Sequence, residues 1–265
     1  MFGIVPRLRA ASLLAPLLAC ALVAGPRVAM SADLVVMTSG GFAAPYRALA
    51  PAAEAATGHH LTVVYGPSMG DTPNTIPTRL ARGERADILV MVGAALDKLI
   101  KAGKASDRVD IAHSWIGMAV RAGAPVPAIG TVEEFKKTLL AAKSIAYSDS
   151  ASGVYIGNTL FHRLGLAEQL AARSHMIPAD PVGGVVAKGE AEIGFQQISE
   201  LKPIAGITLV GKIPAELQLD TIYAAAIPTG SHEKAAAKQV IAYFASSAAA
   251  PIERNLGLDP IVAAR

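Results

Sequence analysis

Four short segments of this chain concentrate hydroxyls, side-chain amides and glycines, and none of them holds a lysine or arginine: Thr38-Ser39-Gly40-Gly41, Pro67-Ser68-Met69-Gly70, Ser150-Ala151-Ser152-Gly153 followed by Tyr155, and Gln196-Gln197 followed by Ser199. Such groups can hold an anion without a countercharge, because backbone N–H groups at helix starts and aimed hydroxyls replace its water. A site of that kind selects by size and donor geometry. Three neighbouring side chains could move protons: Asp149, Tyr155 and Glu200. A proton taken from carbon and returned to it needs a base and an acid within hydrogen-bond reach of one substrate. Each of these features also has a plain architectural account. Gly, Ser and Pro furnish any strand-to-helix turn, Asp149 suits a turn or cap, Tyr155 suits first-turn packing, and Glu200 suits a solvated helix start.

The elements around these segments decide whether they meet. Leu34 to Thr38 is a short apolar run that stops at Ser39-Gly40-Gly41, and a helical pattern follows from Ala44 to Ala56. The unit recurs as a strand over 61–65 with a helix near 75–82, and as a strand over 86–92 with a helix near 94–102. Strands alternating with helices predict a parallel sheet covered on both faces, with ligands beyond the carboxyl ends of the strands. Ile111 to Arg121 reads as one further strand, and Gly123 to Pro127 breaks the pattern. The passage to a second lobe is placed near that break.

A second set follows: a helix over 131–142 with Thr131 and Glu134 as a capping box, a strand over 144–147, the polar turn 148–153, and a helix to about Leu164. Another short strand runs over 192–196, a returning strand over 221–227, and a helix capped by Ser231 continues to about Ala245. The expected organisation is α/β, with two doubly wound lobes joined by a two-segment hinge: 33–118 and 222–265 form lobe one and 119–221 form lobe two. The four polar segments then face one cleft, which closes on its ligand.

Residues 1–32 read as an export signal, with Arg7 and Arg9 ahead of an apolar run and small residues near a cut after Ser31 or one residue later. A rival reading lipidates Cys20 and leaves an anchored terminus. Removal of 1–32 takes away Arg7, Arg9 and Arg27 and no acidic residue, so 24 basic against 21 acidic becomes 21 against 21. The basic balance thus belongs to the export signal and says nothing for a nucleic-acid partner, and none is expected. The one cysteine leaves with the signal, and with it any thiol catalysis. The six histidines are scattered and unaccompanied by cysteine, which gives no metal-binding spacing. No Gly-x-Ser-x-Gly elbow, Gly-Lys-Ser phosphate loop or dinucleotide fingerprint is present. No cofactor is expected.

Several of these pieces, in their order and spacing, resemble the periplasmic molybdate-binding proteins and related solute receptors of ABC importers. They are Thr38-Ser39, Tyr65-Gly66-Pro67-Ser68, the stretch GERADILV from Gly83 to Val90, Gly153-Val154-Tyr155, and Glu190 to Gly194 followed by Ser199-Glu200. The resemblance implies a type II periplasmic binding fold, a monomer that binds a small anion, and a membrane permease as partner. It makes Ser39 and Ser68 the lobe-one anion donors, faced by the amides around Ala151 to Gly153. Gln197 stands where a ligand-binding tyrosine is usual, Gly40 and Gly41 replace bulkier residues, and the proline that often opens the 148–153 loop is missing. These departures point from a tetrahedral metal oxyanion toward a roomier pocket for an organic acid. A branch resembling these receptors includes periplasmic aconitate isomerases, for which Glu200, Asp149 and Tyr155 are the candidate proton-transfer groups.

Overall fold

The computed structural model describes residues 1–3, 31–70, 72–178 and 180–262. The segment expected to be an export signal, with Cys20, therefore lies almost wholly outside the described residues. Among the described residues, no helix is long and apolar enough to cross a membrane.

From Ser31 onward the chain builds two sheets. The first opens with β1 (Asp33–Thr38), α1 (Gly40–Thr57), β2 (His60–Tyr65), α2 (Ile76–Ala81), β3 (Ile88–Val92) and α3 (Gly93–Lys101). Strands β2, β1 and β3 pair in parallel, as alternation with helices requires. Because both faces are covered at β1 and β3, these two carry nearly continuous apolar runs, whereas β2 at the sheet edge leaves His60, Thr62 and Tyr65 exposed. Leu34, Val36, Ile88 and Val90 point to one core with Phe42, Leu49 and Phe244, while Met37, Leu89 and Met91 point to the other with Ile76 and Leu96. The sheet is not parallel throughout. Strand β4 (Ala105–Ser114) runs antiparallel to two strands of the returning chain, β10 (Thr221–Pro228) and β11 (Leu258–Pro260), in the order β11-β4-β10-β3-β1-β2.

The strand expected over 111–121 is two strands. After β4 the chain leaves the first sheet at Trp115, and β5 (Ile116–Arg121) pairs in the second, with Ile116 opposite Gln197. Trp115 is held where it turns: its ring stacks on His113 with centroids 5.8 Å apart, Lys212 lies 4.9 Å above it, and its indole N–H donates to Asp259. The passage thus precedes the expected boundary at 118, and the segment 123–127 follows it. Only His113-Ser114 interrupts the apolar run at the change of sheet, too short a break to read as a loop.

The second sheet continues through α4 (Val132–Ala141), β6 (Ile145–Ser148), α5 (Ala151–Tyr155), a π-helical turn (Ile156–Leu160), α6 (Phe161–Arg163), α7 (Ala167–Ala171), β7 (Ser174–Ile177), α8 (Val182–Lys188), β8 (Ile193–Gln197), α9 (Ile198–Leu201) and β9 (Ile207–Lys212). Its order is β7-β6-β8-β5-β9. The capping box predicted for α4 is present in both directions. Ile116, Met118, Ile145 and Phe195 pack under Phe135, Leu139 and Phe161, which gives this sheet its own core.

The chain returns as β10 (Thr221–Pro228) and ends in α10 (Lys234–Phe244), α11 (Ala250–Asn255) and β11 (Leu258–Pro260). Ser231 does not cap α10. The N-cap position is Glu233, and the Ser231 hydroxyl donates to Asp87 Oδ1 at 2.8 Å. The other oxygen of that buried carboxylate accepts from Val35 N–H at 3.0 Å. The Ser231 hydroxyl also accepts Glu233 N–H at 3.2 Å, so it bonds the N-cap residue rather than a donor inside the helix.

Glu253 on α11 is 1% exposed, and its Oε1 has no partner. Burial raises its pKa from 4.5 to about 8, against a smaller opposite pull from Arg254. The folded state therefore holds a proton that the unfolded chain releases above 4.5, so stability falls as pH rises from 4.5 to about 8 and levels above it. Glu253→Gln should remove this part of the slope and be more stable than the parent at pH 9, by at most about 5 kcal/mol. Urea midpoints of both proteins at pH 5 and 9 measure it; parallel shifts would show that Glu253 does not titrate this way.

Candidate functional site

Helix α1 begins four residues before the expected start, and that shift makes the site. Glycine is a poor helix former, so Gly40-Gly41 reads as turn. In the fold both occupy the first turn, directly after Ser39 at the N-cap. Ser39 is buried, yet its side chain makes no capping bond to the helix. Its hydroxyl instead accepts from Ser68 Oγ at 2.8 Å, and Ser68 Oγ accepts from Val92 N–H at 3.0 Å. Beside them Thr38 is fully buried with its hydroxyl unpartnered.

The two glycines leave space that other side chains fill. A Cβ on Gly40 would lie 2.5 Å from Glu200 Oε1, and one on Gly41 would lie 2.0 Å from the Tyr223 hydroxyl. The room expected for a ligand thus receives a carboxyl group and a phenol. Tyr223 is 3% exposed, and its hydroxyl lies against the first turn of α1 at Gly41. It was not foreseen. Alternation along β10 sends Tyr223 to the same face as Ala225 and Ile227, so in sequence it passes for core.

Glu200 arrives from the second sheet on α9, which starts without a break after β8. Ser199 Oγ donates to Gly41 O at 2.7 Å and ties α9 to the start of α1. Gly257, just past α11, abuts the opposite side: a Cβ there would meet Ile198 at 2.5 Å. Although Glu200 is not fully enclosed, burial of its carboxyl raises its pKa to about 7, and the charge of Asp149 adds to the rise. A hydrogen bond from Gln196 opposes both. The Gln196 amide is engaged at both ends, since its Oε1 also accepts Val182 N–H at 3.0 Å.

The remaining expected residues separate into groups. Ser150 and Ser152 form a hydroxyl triangle with Ser148, at 2.7 and 3.3 Å. Ala151 and Gly153 lie in the first turn of α5 above it. Asp149 sits in the same loop, close enough for its charge to act on Glu200. Gln197 turns away from this group: its Oε1 accepts from Ser114 Oγ at 2.8 Å and its Nε2 donates to Thr221 Oγ1 at 3.3 Å. It links the two strands on which the chain passes between sheets. The Tyr155 hydroxyl is likewise committed, donating to Leu217 O at 2.9 Å and accepting from Arg163 at 2.8 Å. Pro67 supports α2 through its carbonyl, which accepts Ile76 N–H at 2.9 Å, and Met69 is exposed. Among the described residues, no three metal-ligating side chains come together.

A family model described as bacterial extracellular solute-binding protein matches residues 34–258. The chain belongs to that family. Its fold is the type II periplasmic binding fold, which this solute-binding protein shares with the periplasmic molybdate-binding protein of Azotobacter vinelandii. That structure has a TM-score of 0.68 at 23% identity, over 88% of this chain and all of the other. The substrate-binding domain of a putative molybdenum ABC transporter from Clostridium difficile has a TM-score of 0.68 at 18% identity, over 86% and 99% of the two chains. In sequence, an aconitate isomerase of a Pseudomonas species is 50% identical over 232 residues, 87% of this chain and 88% of that protein.

Proposed function

We propose that this solute-binding protein is an isomerase of aconitate, working in the periplasm with Glu200 as its base. The observation that carries the reading is the Glu200 carboxyl, with a pKa of about 7, set against the first turn of α1. The curated relative at 50% identity, named for that reaction, supports it.

Aconitate carries a methylene group and a vinyl carbon on either side of one central carbon, with a carboxylate on each of the three. Removing a methylene proton leaves an electron pair that spreads across the three-carbon unit and onto the terminal carboxylates. Returning the proton to the former vinyl carbon moves the double bond across the centre, and the new double bond sets as cis or trans. One C–H bond breaks, one forms, and no oxidant or reductant is consumed. The base must be ionised enough to accept the proton and basic enough to take it, which favours a group titrating near the working pH. An ordinary glutamate is too weak a base for this; burial makes Glu200 suitable. The negative charge that develops falls beside α1 amides and serine hydroxyls, which stabilise it without reorganising.

The second reading is a receptor that delivers an anion to the permease of an ABC importer, and the hydroxyl-lined loops of this fold favour it. The Glu200 carboxylate would repel an anion in either reading, but only the isomerase gives that carboxylate a task. Incubating the purified protein with either isomer of aconitate in deuterium oxide, followed by proton NMR, separates the readings. Interconversion with deuterium entering the product is the expected result. Binding of molybdate, sulfate or tricarboxylates without any turnover would leave the receptor.

A further inference from the structure

Helix α9 carries both Ser199 and Glu200 within four residues, Ile198–Leu201. A single turn cannot hold itself, because helix formation becomes favourable only after several residues have been fixed. The place of Glu200 at the α1 start is therefore set by what α9 rests on. The turn between the sheets is one support: the Trp115 carbonyl accepts Ile198 N–H at 2.9 Å, and beside it Ser114 Oγ donates to Gln197 Oε1 at 2.8 Å. The end of the chain is the other. A Cβ on Gly257 would lie 2.5 Å from Ile198 Cγ2 and 3.3 Å from Ser199 N, so the segment entering β11 backs directly onto α9.

One side chain joins the two supports. The Trp115 indole N–H donates to Asp259 Oδ2, two residues beyond Gly257. The same oxygen accepts from Lys212 Nζ at 3.0 Å, and the Lys212 ammonium lies 4.9 Å from the centre of the indole ring. His113 stacks on that ring and is itself tied to Asp220 at 2.7 Å. Lys212 and Asp259 are exposed, so their ion pair adds little to stability, and what the cluster contributes is a fixed geometry. Resting on the isomerase reading, we propose that Trp115 and Asp259 are positioning residues, which clamp the start of α9 between the turn at 115 and β11 and so hold the Glu200 carboxyl beside Gly40.

The test pairs Trp115→Phe with Asp259→Ala. W115F keeps an aromatic ring and the backbone carbonyl and loses the indole N–H; D259A removes its acceptor. Each should lower kcat for aconitate about tenfold with KM changed less than about threefold, since a displaced base costs the chemical step more than it costs binding. The double variant should fall no further than D259A. In both single variants the pH at which kcat/KM levels should drop below about 7, because a loosened carboxyl gains water. Lys238→Ala, which breaks the exposed ion pair with Asp107, should change none of these and controls for the loss of a surface charge. Parental kcat with a parental pH profile in W115F and D259A would overturn the assignment. Amide hydrogen exchange tests the clamp without the reaction: peptides covering α9 should exchange about tenfold faster in W115F than in the parent, and those covering α4 should not change. If the parent does not turn aconitate over, the isomerase reading fails separately and exchange alone decides; unaltered exchange at α9 would then overturn the clamp as well.

Discussion

Glu200→Gln should lower the rate of aconitate isomerisation about a thousandfold, the scale of loss when a general base is removed. The substitution keeps the size of the side chain and an oxygen that can still accept the Gln196 hydrogen bond, so the α9–α1 contact through Ser199 and Gly41 should persist. Binding of tricarballylate should survive or tighten, because a negative charge beside the anionic ligand has gone. The parent enzyme should show kcat/KM rising about tenfold per pH unit below 7 and flattening above it, since the ionised carboxylate is the active form and the free-enzyme pKa is about 7. In E200Q that pH dependence should vanish with the rate. A variant that isomerises at the parental rate would remove Glu200 from the chemistry. Full activity with a rate falling through pH 7 would mean that the neutral acid is the working form.

How far the sequence announced this site depends on where each signal lives. The strands β1 and β3 are legible because a parallel sheet with two covered faces leaves nearly continuous apolar runs, and the turns after them are legible because they end those runs. Strand β7 escapes notice because His175 and Met176 are exposed at the sheet edge, and β11 because it spans three residues. The change of sheet at Trp115 leaves only a faint mark, since His113-Ser114 is too short a polar break between apolar residues to end a strand on sequence alone. Tyr223 escaped for the same reason that its neighbours were read correctly: two-residue alternation assigns it to the core, and only the third dimension shows its hydroxyl reaching α1. Gly40-Gly41 was the one available hint. It was read as space for a ligand, whereas the space admits Glu200 and Tyr223, two groups from segments distant in sequence.

This placement also explains how a receptor fold could acquire chemistry. The hydroxyls and amides that suit an anion are already at the sheet edges; what the isomerase reading adds is a base at the start of α1. Gln197, spent on Ser114 and Thr221, secures the two strands between the sheets, next to the tie of Ser199 to Gly41 that brings α9 against α1. The active arrangement depends on contacts from both sheets at once.

Gly153→Ala should be the most disruptive single-atom change in the site, and its sign is opposite to the usual one. Replacing glycine by alanine inside a helix normally stabilises by about 0.5–1 kcal/mol through the unfolded chain. At Gly153 the added Cβ would lie 1.6 Å from Ser148 O, with Ser148 C at 2.5 Å and Ser148 N at 2.7 Å. These are backbone atoms, so no side-chain rotation relieves the overlap, and the 148–153 loop must move as a unit. We expect a loss of about 3 kcal/mol. The Ser148-Ser150-Ser152 triangle should open, and Asp149 should shift relative to Glu200, lowering isomerase activity together with stability. Gly184→Ala in α8 supplies the contrast, because its Cβ meets nothing within 4 Å and should give the ordinary gain. Urea midpoints of the two variants should therefore move in opposite directions. If Gly153→Ala matches Gly184→Ala, the loop is not packed against the start of α5 as described, and its serines do not face the base.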